Sequence, residues 1–237
     1  MKDLEYLKKY YKGNIDDAIE RLNNGEPVQY IVGNVDFYKY NFIVNKNVLI
    51  PRFETEELVL NTINFIKEYF HDPIKVLDIG TGSGAIAISI KKEINGKVYA
   101  TDISKEALEV AKENAKRNNV DILFTETNIY DGIKEKFDVV VSNPPYIRYD
   151  EEIDEIVKNN EPHIALYADN NGLYFYEEIL KNIKNILNDK YLIAFEIGKD
   201  QGEAINELKE KYLPESNIIL KKDLEGRDRM IFIHNFE

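Results

Sequence analysis

Apolar positions along this chain change their period twice. Leu4, Leu7, Tyr10 and Tyr11, then Ile15, Ala18, Ile19 and Leu22, recur at helical spacing. One or two short helices are predicted over residues 1–24, ended by Asn23-Asn24-Gly25. A segment rich in β-formers follows. Residues 37–44 and Val48-Leu49-Ile50 flank Asn45-Lys46-Asn47, a spacing that predicts a β-hairpin stopped by Pro51. Residues 54–70 return to helical periodicity through Leu58, Val59, Ile63 and Ile66. From residue 74 onward, short apolar runs alternate with amphipathic segments. Strands are expected at 74–79, 97–101, 121–125, 137–141 and 191–196, and helices at 84–93, 105–118, 173–187 and 201–211. Two more strands, near 218–220 and 230–234, have no helix between them. The expected fold class is α/β, with a mostly parallel sheet, helices on both its faces and a terminal antiparallel hairpin. No internal repeat or low-complexity linker interrupts the pattern.

Composition narrows the chemistry. A chain of 237 residues suits one core, or one catalytic domain with a small appendage. Hydrophobic residues make up 43% and charged residues 31%, as in ordinary globular proteins. No apolar run approaches the roughly 18 residues of a membrane span. The charged start, Met1-Lys2-Asp3-Leu4-Glu5, lacks the apolar core of a signal peptide, so a cytoplasmic location and no membrane partner are expected. There are no cysteines, which excludes disulfides, thiolate metal sites and a cysteine nucleophile. The histidines, His71, His163 and His234, show no metal-ligand spacing, and no metal is expected. The net charge of −12 opposes a phosphate backbone. Lys91-Lys92, Lys221-Lys222 and Arg227 with Arg229 are short basic runs that read as solvated faces. A protein or small-molecule partner and no direct DNA binding are expected, while composition leaves RNA open.

Val76-Leu77-Asp78-Ile79-Gly80-Thr81-Gly82-Ser83-Gly84 is a buried strand running into a glycine turn, and Ala85-Ile86-Ala87-Ile88 opens a helix after it. Without Cβ atoms the turn lets a ligand approach the backbone, and the helix start offers free N–H groups. A bare tight turn has the same look, so the second half of the pattern matters. Val98-Tyr99-Ala100-Thr101-Asp102 is a further strand ending in an acid about 20 residues on, placed to accept ribose hydroxyls. The Gly80-x-Gly82-x-Gly84 spacing differs from the dinucleotide GxGxxG, and Asp78 would repel pyrophosphate but attract an ammonium. S-adenosylmethionine carries an ammonium. The Asp-x-Gly-x-Gly-x-Gly arrangement resembles the first motif of class I methyltransferases.

Ser142-Asn143-Pro144-Pro145-Tyr146 follows the fourth expected strand of the sheet, at the edge where ligands bind. The proline pair stiffens this loop. The Asn143 side-chain oxygen and the Pro144 carbonyl could accept both hydrogens of one planar NH2 group. That would raise its electron density and oppose the positive charge that develops as it takes a methyl. Tyr146 offers an aromatic face for stacking. Asn-Pro-Pro-Tyr resembles the fourth motif of methyltransferases acting on adenine N6 or glutamine N5, and by itself does not choose between them.

Further residues carry a narrower resemblance. Gly25-Glu26-Pro27-Val28-Gln29-Tyr30-Ile31-Val32-Gly33, Phe37, and Val48-Leu49-Ile50-Pro51-Arg52-Phe53-Glu54-Thr55-Glu56-Glu57-Leu58-Val59 stand upstream, and Asp223-Leu224-Glu225-Gly226-Arg227-Asp228-Arg229 stands near the end. With the central motifs, the stretch from Gly25 onward resembles the HemK-type protein-(glutamine-N5) methyltransferases, which modify peptide chain release factors. The resemblance implies a Rossmann-like class I methyltransferase fold with a seven-stranded sheet. It implies S-adenosylmethionine as cofactor, leaving S-adenosylhomocysteine as product. Asp78, Gly80, Thr81, Gly82, Ser83, Gly84, Asp102, Ile103, Asn128, Ile129 and Asn143 fall where that family meets the cofactor. Asn143, Pro144, Pro145 and Tyr146 fall where it holds the glutamine, with Asn143, Pro144 and Tyr146 in the catalytic roles. Arg52, Glu54 and Thr55 lie in a family motif near the cofactor, and a plain helix-start role fits them equally. Asn128 stands where an acid is common, and Phe53 where a second proline is usual.

The resemblance also implies a division into residues 1–24, a helical segment shorter than the family's, 25–53, a linker with the hairpin, and 54–237, the methyltransferase domain. The implied partner is a release factor carrying the glutamine in a Gly-Gly-Gln segment. Another protein such as a ribosomal one, adenine in nucleic acid, and a non-catalytic cofactor-binding regulator are the alternatives. The acidic balance and the want of a recognisable DNA-reading domain weigh against the nucleic acid, and the intact Asn143 loop weighs against the regulator.

Overall fold

The helical periodicity of residues 1–24 becomes two helices in the computed structural model, which describes residues 3–71 and 73–237, and a third helix that the periodicity does not predict follows them. These are α1 (Asp3–Tyr10), α2 (Ile15–Asn23) and α3 (Val28–Val32). Met1 and Lys2 of the expected N-terminal segment lie outside the described residues. Asn14 caps α2, its side-chain oxygen accepting the Asp16 N–H at 3.1 Å. Leu7, Ala18, Val28 and Ile31 bury against one another in a small core of their own.

The expected hairpin exists but is displaced. Its strands are β1 (Asn34–Phe37) and β2 (Tyr40–Ile43), with Phe37 opposite Tyr40 and the turn at Tyr38-Lys39. Asn45 does make a turn, accepting Asn47 N–H on its side chain at 2.9 Å, but Val48-Leu49-Ile50 pairs with no strand among the described residues. Val48 and Ile50 are buried instead with Tyr30, Val44, Ala107 and Val110. Side chains satisfy their backbone: Tyr30 OH donates to Val48 O at 2.6 Å, and Ile50 N–H donates to Glu161 Oε2 at 3.1 Å. An apolar alternation made for burial thus has the look of one made for a ladder.

The remainder runs α4 (Phe53–Tyr69), β3 (Ile74–Ile79), α5 (Ala85–Glu93), β4 (Gly96–Asp102), α6 (Lys105–Arg117), β5 (Leu123–Glu126), β6 (Phe137–Ser142), α7 (Glu155–Asn160), α8 (Asp169–Gly172), α9 (Tyr174–Lys181), β7 (Leu187–Glu196), α10 (Gly202–Tyr212), β8 (Asn217–Lys222) and β9 (Asp228–His234). The sheet has seven strands in the order β5-β4-β3-β6-β7-β9-β8. It is parallel from β5 to β7 and antiparallel where β9 joins β7 and β8. This is the mostly parallel α/β sheet with an antiparallel end that the pattern predicts. Val76, Val98, Val139 and Ala194 pack against α4 and α5 on one face. Leu77, Val140, Ile193 and Phe195 pack against α9 and α10 on the other. Covering both faces is why these strands read as near-continuous apolar runs.

The helix expected over 173–187 is shorter than predicted. Asn182 leaves helical geometry at φ −127, a 3-10 turn spans Ile183–Ile186, and β7 begins at Leu187. Ile179, Ile183, Ile186 and Leu187 are all buried. A 3-10 turn buries residues three apart as an α-helix does, so periodicity does not reveal the break.

The chain enters the sheet at β3, moves outward through β4 to β5, and returns to β6 on the other side of β3. This reversal opens a crevice at the carboxyl ends of β3 and β6. The glycine turn and the Asn143 loop are the two connections that leave from there.

Candidate active site

A cleft of 280 Å³ occupies that crevice. Gly80, Gly82, Asp102, Ile103, Asn128, Ile129, Asn143, Pro144 and Pro145 line it, together with Leu49, Ile164 and Phe175 from outside the central motifs. Gly80 and Gly82 sit at φ +70 and +54, and a Cβ built on either would meet nothing within 4 Å. The turn therefore needs glycine for its left-handed backbone and leaves the cleft side open. Ile103, 53% exposed, adds an apolar wall. Ile129, at φ 55, is held by its carbonyl, which accepts Thr101 Oγ1–H at 2.6 Å.

Asp102 ends β4 beside the turn. Its Oδ2 accepts Gly82 N–H at 2.8 Å and its Oδ1 accepts Ser104 N–H at 2.9 Å. Burial raises its pKa, and the backbone bonds from Ser104 and Gly82 pull the other way. Each oxygen keeps a lone pair for a diol.

The structure places Asp78, Thr81, Ser83 and Gly84 behind the turn, off the cleft wall. Asp78 is fully buried; its Oδ2 accepts Thr81 Oγ1–H at 2.6 Å and Ala87 N–H at 3.2 Å. Its Oδ1 has no partner among the described residues. Burial pushes this carboxyl up to about 7. A buried carboxylate oxygen without a donor is an unmet demand for positive charge or a hydrogen-bond donor. The side chains of Thr81 and Ser83 are themselves buried, and Ser83 O accepts Asn114 Nδ2–H at 2.9 Å.

Asn143 and Pro144 line both this cleft and a second one of 80 Å³, whose wall includes Arg52, Tyr146 and Glu196. That is room for about two to three water molecules, the scale of one primary amide. Asn143 Nδ2 donates to Thr55 Oγ1 at 3.1 Å, and Thr55 Oγ1 donates to Glu196 Oε2 at 2.6 Å. Asn143 Oδ1 and the Pro144 carbonyl accept no hydrogen bond from the described residues. Tyr146 is tethered at both ends. Its hydroxyl donates to Glu196 Oε1 at 3.4 Å and accepts from Arg229 Nη1 at 3.4 Å, and its carbonyl accepts Gln201 Nε2–H at 3.1 Å. Burial raises its pKa, and the neighbouring Glu196 carboxylate adds to the rise. Arg52 pairs with Glu161 at 2.5 Å, joining the start of α4 to the chain after α7.

The pattern of the sequence does not single out Glu161, Glu196 or Gly172. A signal for Glu196 exists, because it is an acid closing a buried strand at the ligand edge, as Asp102 does. Gly172 is marked only by its neighbours: a Cβ there would lie 2.1 Å from Tyr146 O. Among the described residues, no group of three His, Cys, Asp or Glu could hold a metal ion, and no helix is long and apolar enough to cross a membrane.

A family model described as Methyltransferase small domain matches residues 57–162. The release factor glutamine methyltransferase of Streptococcus pneumoniae is 44% identical over 222 residues, covering 92% of this chain and 78% of that protein. The one from Flavobacterium psychrophilum is 45% identical over 226 residues, covering 92% and 79%. Among solved structures, a ribosomal protein L11 methylase from Lactobacillus delbrueckii subsp. bulgaricus matches at a TM-score of 0.58 and 25% identity, covering 80% of this chain and 82% of that one. The two sequence matches take in nearly the whole chain, crevice included, and the chain belongs to the release factor glutamine methyltransferase family.

Proposed function

We propose that this chain methylates the side-chain amide nitrogen of a glutamine, drawn from S-adenosylmethionine, in the Gly-Gly-Gln segment of a peptide chain release factor. One observation carries the reading. Asn143 Oδ1 and the carbonyl of the next residue, Pro144, accept no hydrogen bond among the described residues, and both residues line the place where a nucleoside-sized cleft meets an amide-sized one.

The residues fit the cofactor. Asp102 suits the ribose hydroxyls, the Gly80–Gly82 backbone gives close approach, Ile103 and Ile129 suit the adenine face, and the Asp78 carboxyl, buried behind the turn, attracts an ammonium by its charge rather than by contact. Bound there, the cofactor supplies an electrophilic methyl group. An amide nitrogen is a weak nucleophile because its lone pair is delocalised. Accepting both its N–H bonds, Asn143 and Pro144 raise its electron density, fix its direction and oppose the positive charge that grows during transfer. The nitrogen takes the methyl first, becomes acidic as it does so, and then releases one proton to solvent, so no base is required beforehand. Tyr146, Pro145 and the Thr55 hydroxyl keep the loop still.

The net charge of −12 and the exposed apolar rim of Tyr149, Ile164 and Tyr174 support a polypeptide acceptor over a nucleic-acid backbone. The cofactor and the acceptor are tested together with labelled S-adenosylmethionine, purified release factor, and the same factor with its Gly-Gly-Gln glutamine changed to alanine. Label in the first and not the second is expected. Label in both, or in nucleic acid instead, would overturn the acceptor.

A further inference from the structure

We propose that Glu196 is a positioning residue that sets, through Thr55, which end of the Asn143 amide faces the substrate. This rests on the reading of Asn143 as the holder of the acceptor amide. Glu196 closes β7 and is 2% exposed. One of its oxygens takes the Thr55 hydroxyl at 2.6 Å and the other takes the Tyr146 hydroxyl at 3.4 Å. Both ends of Asn143-Pro144-Pro145-Tyr146 therefore hang on one buried carboxylate.

Hydrogen-bond polarity fixes the direction of the amide. A hydroxyl has a single hydrogen. Thr55 gives its hydrogen to the carboxylate, so toward Asn143 it can only accept. The amide must then present Nδ2 to Thr55, which is the arrangement observed at 3.1 Å. Oδ1 is left for the cleft, as an acceptor for a substrate that brings donors. With a protonated Glu196 the constraint is lifted: the carboxyl can donate to Thr55, and Thr55 can donate to Asn143 Oδ1. The amide would then turn its NH2 toward the substrate NH2, donor against donor.

The groups facing Glu196 come from every element packed on it. They are Thr55 and Glu54 on α4, Tyr146 on the loop after β6, Tyr176 on α9 and Arg229 on β9. Burial pushes the carboxyl up to about 7, opposed by the Thr55 hydrogen bond and the Arg229 charge and supported by Glu54. Tyr176 OH donates to the Glu196 backbone carbonyl at 2.7 Å and leaves the carboxylate alone.

The test uses the full chain with Thr55→Val, Thr55→Ser and Glu196→Gln. Turnover at saturating substrate, affinity for S-adenosylhomocysteine, thermal midpoint and the pH profile are read together. Thr55→Val should lower kcat about 10–100-fold, the range expected for a lost orienting bond, with product affinity held within about threefold. Thr55→Ser, which keeps the hydroxyl, should recover most of the rate. The acid limb of the wild-type kcat profile should be lost in Glu196→Gln. A readout free of turnover is the Asn143 side-chain NH2 resonance pair, assigned by its loss in Asn143→Asp. It should shift with pH in the wild type and Thr55→Ser and stay constant in Glu196→Gln. A folded Thr55→Val with wild-type kcat overturns the inference. So does an Asn143 amide signal in the wild type that ignores pH, even in a protein that methylates no glutamine. If the wild-type signal responds to pH while no glutamine is methylated, the relay stands and the proposed acceptor falls.

Discussion

Asp78→Asn should make the ligand-free protein more stable at pH 8 while weakening its hold on the cofactor. Asp78 is fully buried, and its Oδ1 has no partner among the described residues. Its pKa rises from an ordinary 3.8 to about 7, which corresponds to about 4 kcal/mol against the ionised form. The sign follows from proton counting. Between the two pKa values the unfolded chain has released the proton while the folded chain still holds it. Stability therefore falls as pH rises through that window and is flat above it. Asparagine removes the charge and keeps an oxygen for Thr81 and Ala87, but it sets an NH2 where Oδ1 stood, at about 1–3 kcal/mol. A net gain of about 1–3 kcal/mol at pH 8 remains, roughly 2–10 °C in Tm for a chain of this size. Thermal unfolding at pH 8 and pH 5 checks this. The wild type should recover about 3 kcal/mol at the lower pH from this group, and the variant should lack that part of the slope. Calorimetric titration should show affinity for S-adenosylhomocysteine reduced about tenfold, through the lost attraction of a poorly screened charge for the ammonium. A variant that melts below the wild type at pH 8 with an unchanged pH slope would refute the burial argument. Unchanged affinity would refute the attraction of the ammonium by the Asp78 charge.

Asp102→Ala should weaken S-adenosylhomocysteine binding by roughly 10–100-fold in the same titration, through two lost charge-assisted bonds, with a smaller change in kcat at saturating cofactor. Asn143→Ala should do the reverse, lowering kcat about 10²–10³-fold while product affinity changes far less; equal losses in both would contradict its role. Gly172→Ala places a methyl 2.1 Å from Tyr146 O at a φ of +81. Strain and overlap should cost about 2–5 kcal/mol and displace the loop, so both the thermal midpoint and kcat should drop. A normal midpoint in that variant would mean the Tyr146 carbonyl yields freely.

The parallel core was legible because burial on both faces makes β3 and β6 near-continuous apolar runs, and the alternation with α5 and α6 imposes right-handed crossovers. The Gly80 turn, Asp102 and the Asn143 loop were legible as local strings, since each is contiguous and sits at a strand end. The β1–β2 register and the end of α9 were not. Val48 and Ile50 alternate whether their backbone pairs with a strand or with Tyr30 and Glu161, and Ile183 and Ile186 keep helical spacing in a 3-10 turn.

By itself, then, the sequence determined the succession of the seven sheet strands and the short motifs that resemble a glutamine methyltransferase, but not the short helices α3, α7 and α8. Only the tertiary structure decided that Asp78 stands behind the turn with an oxygen that has no partner among the described residues. Only there do Thr55, Asn143 and Glu196 meet, 88 and 141 residues apart from Thr55 along the chain. The reason is physical. Periodicity and glycine turns are local consequences of backbone geometry, whereas a buried carboxylate acquires its partners, its pKa and its effect on Asn143 only when distant strands close around it.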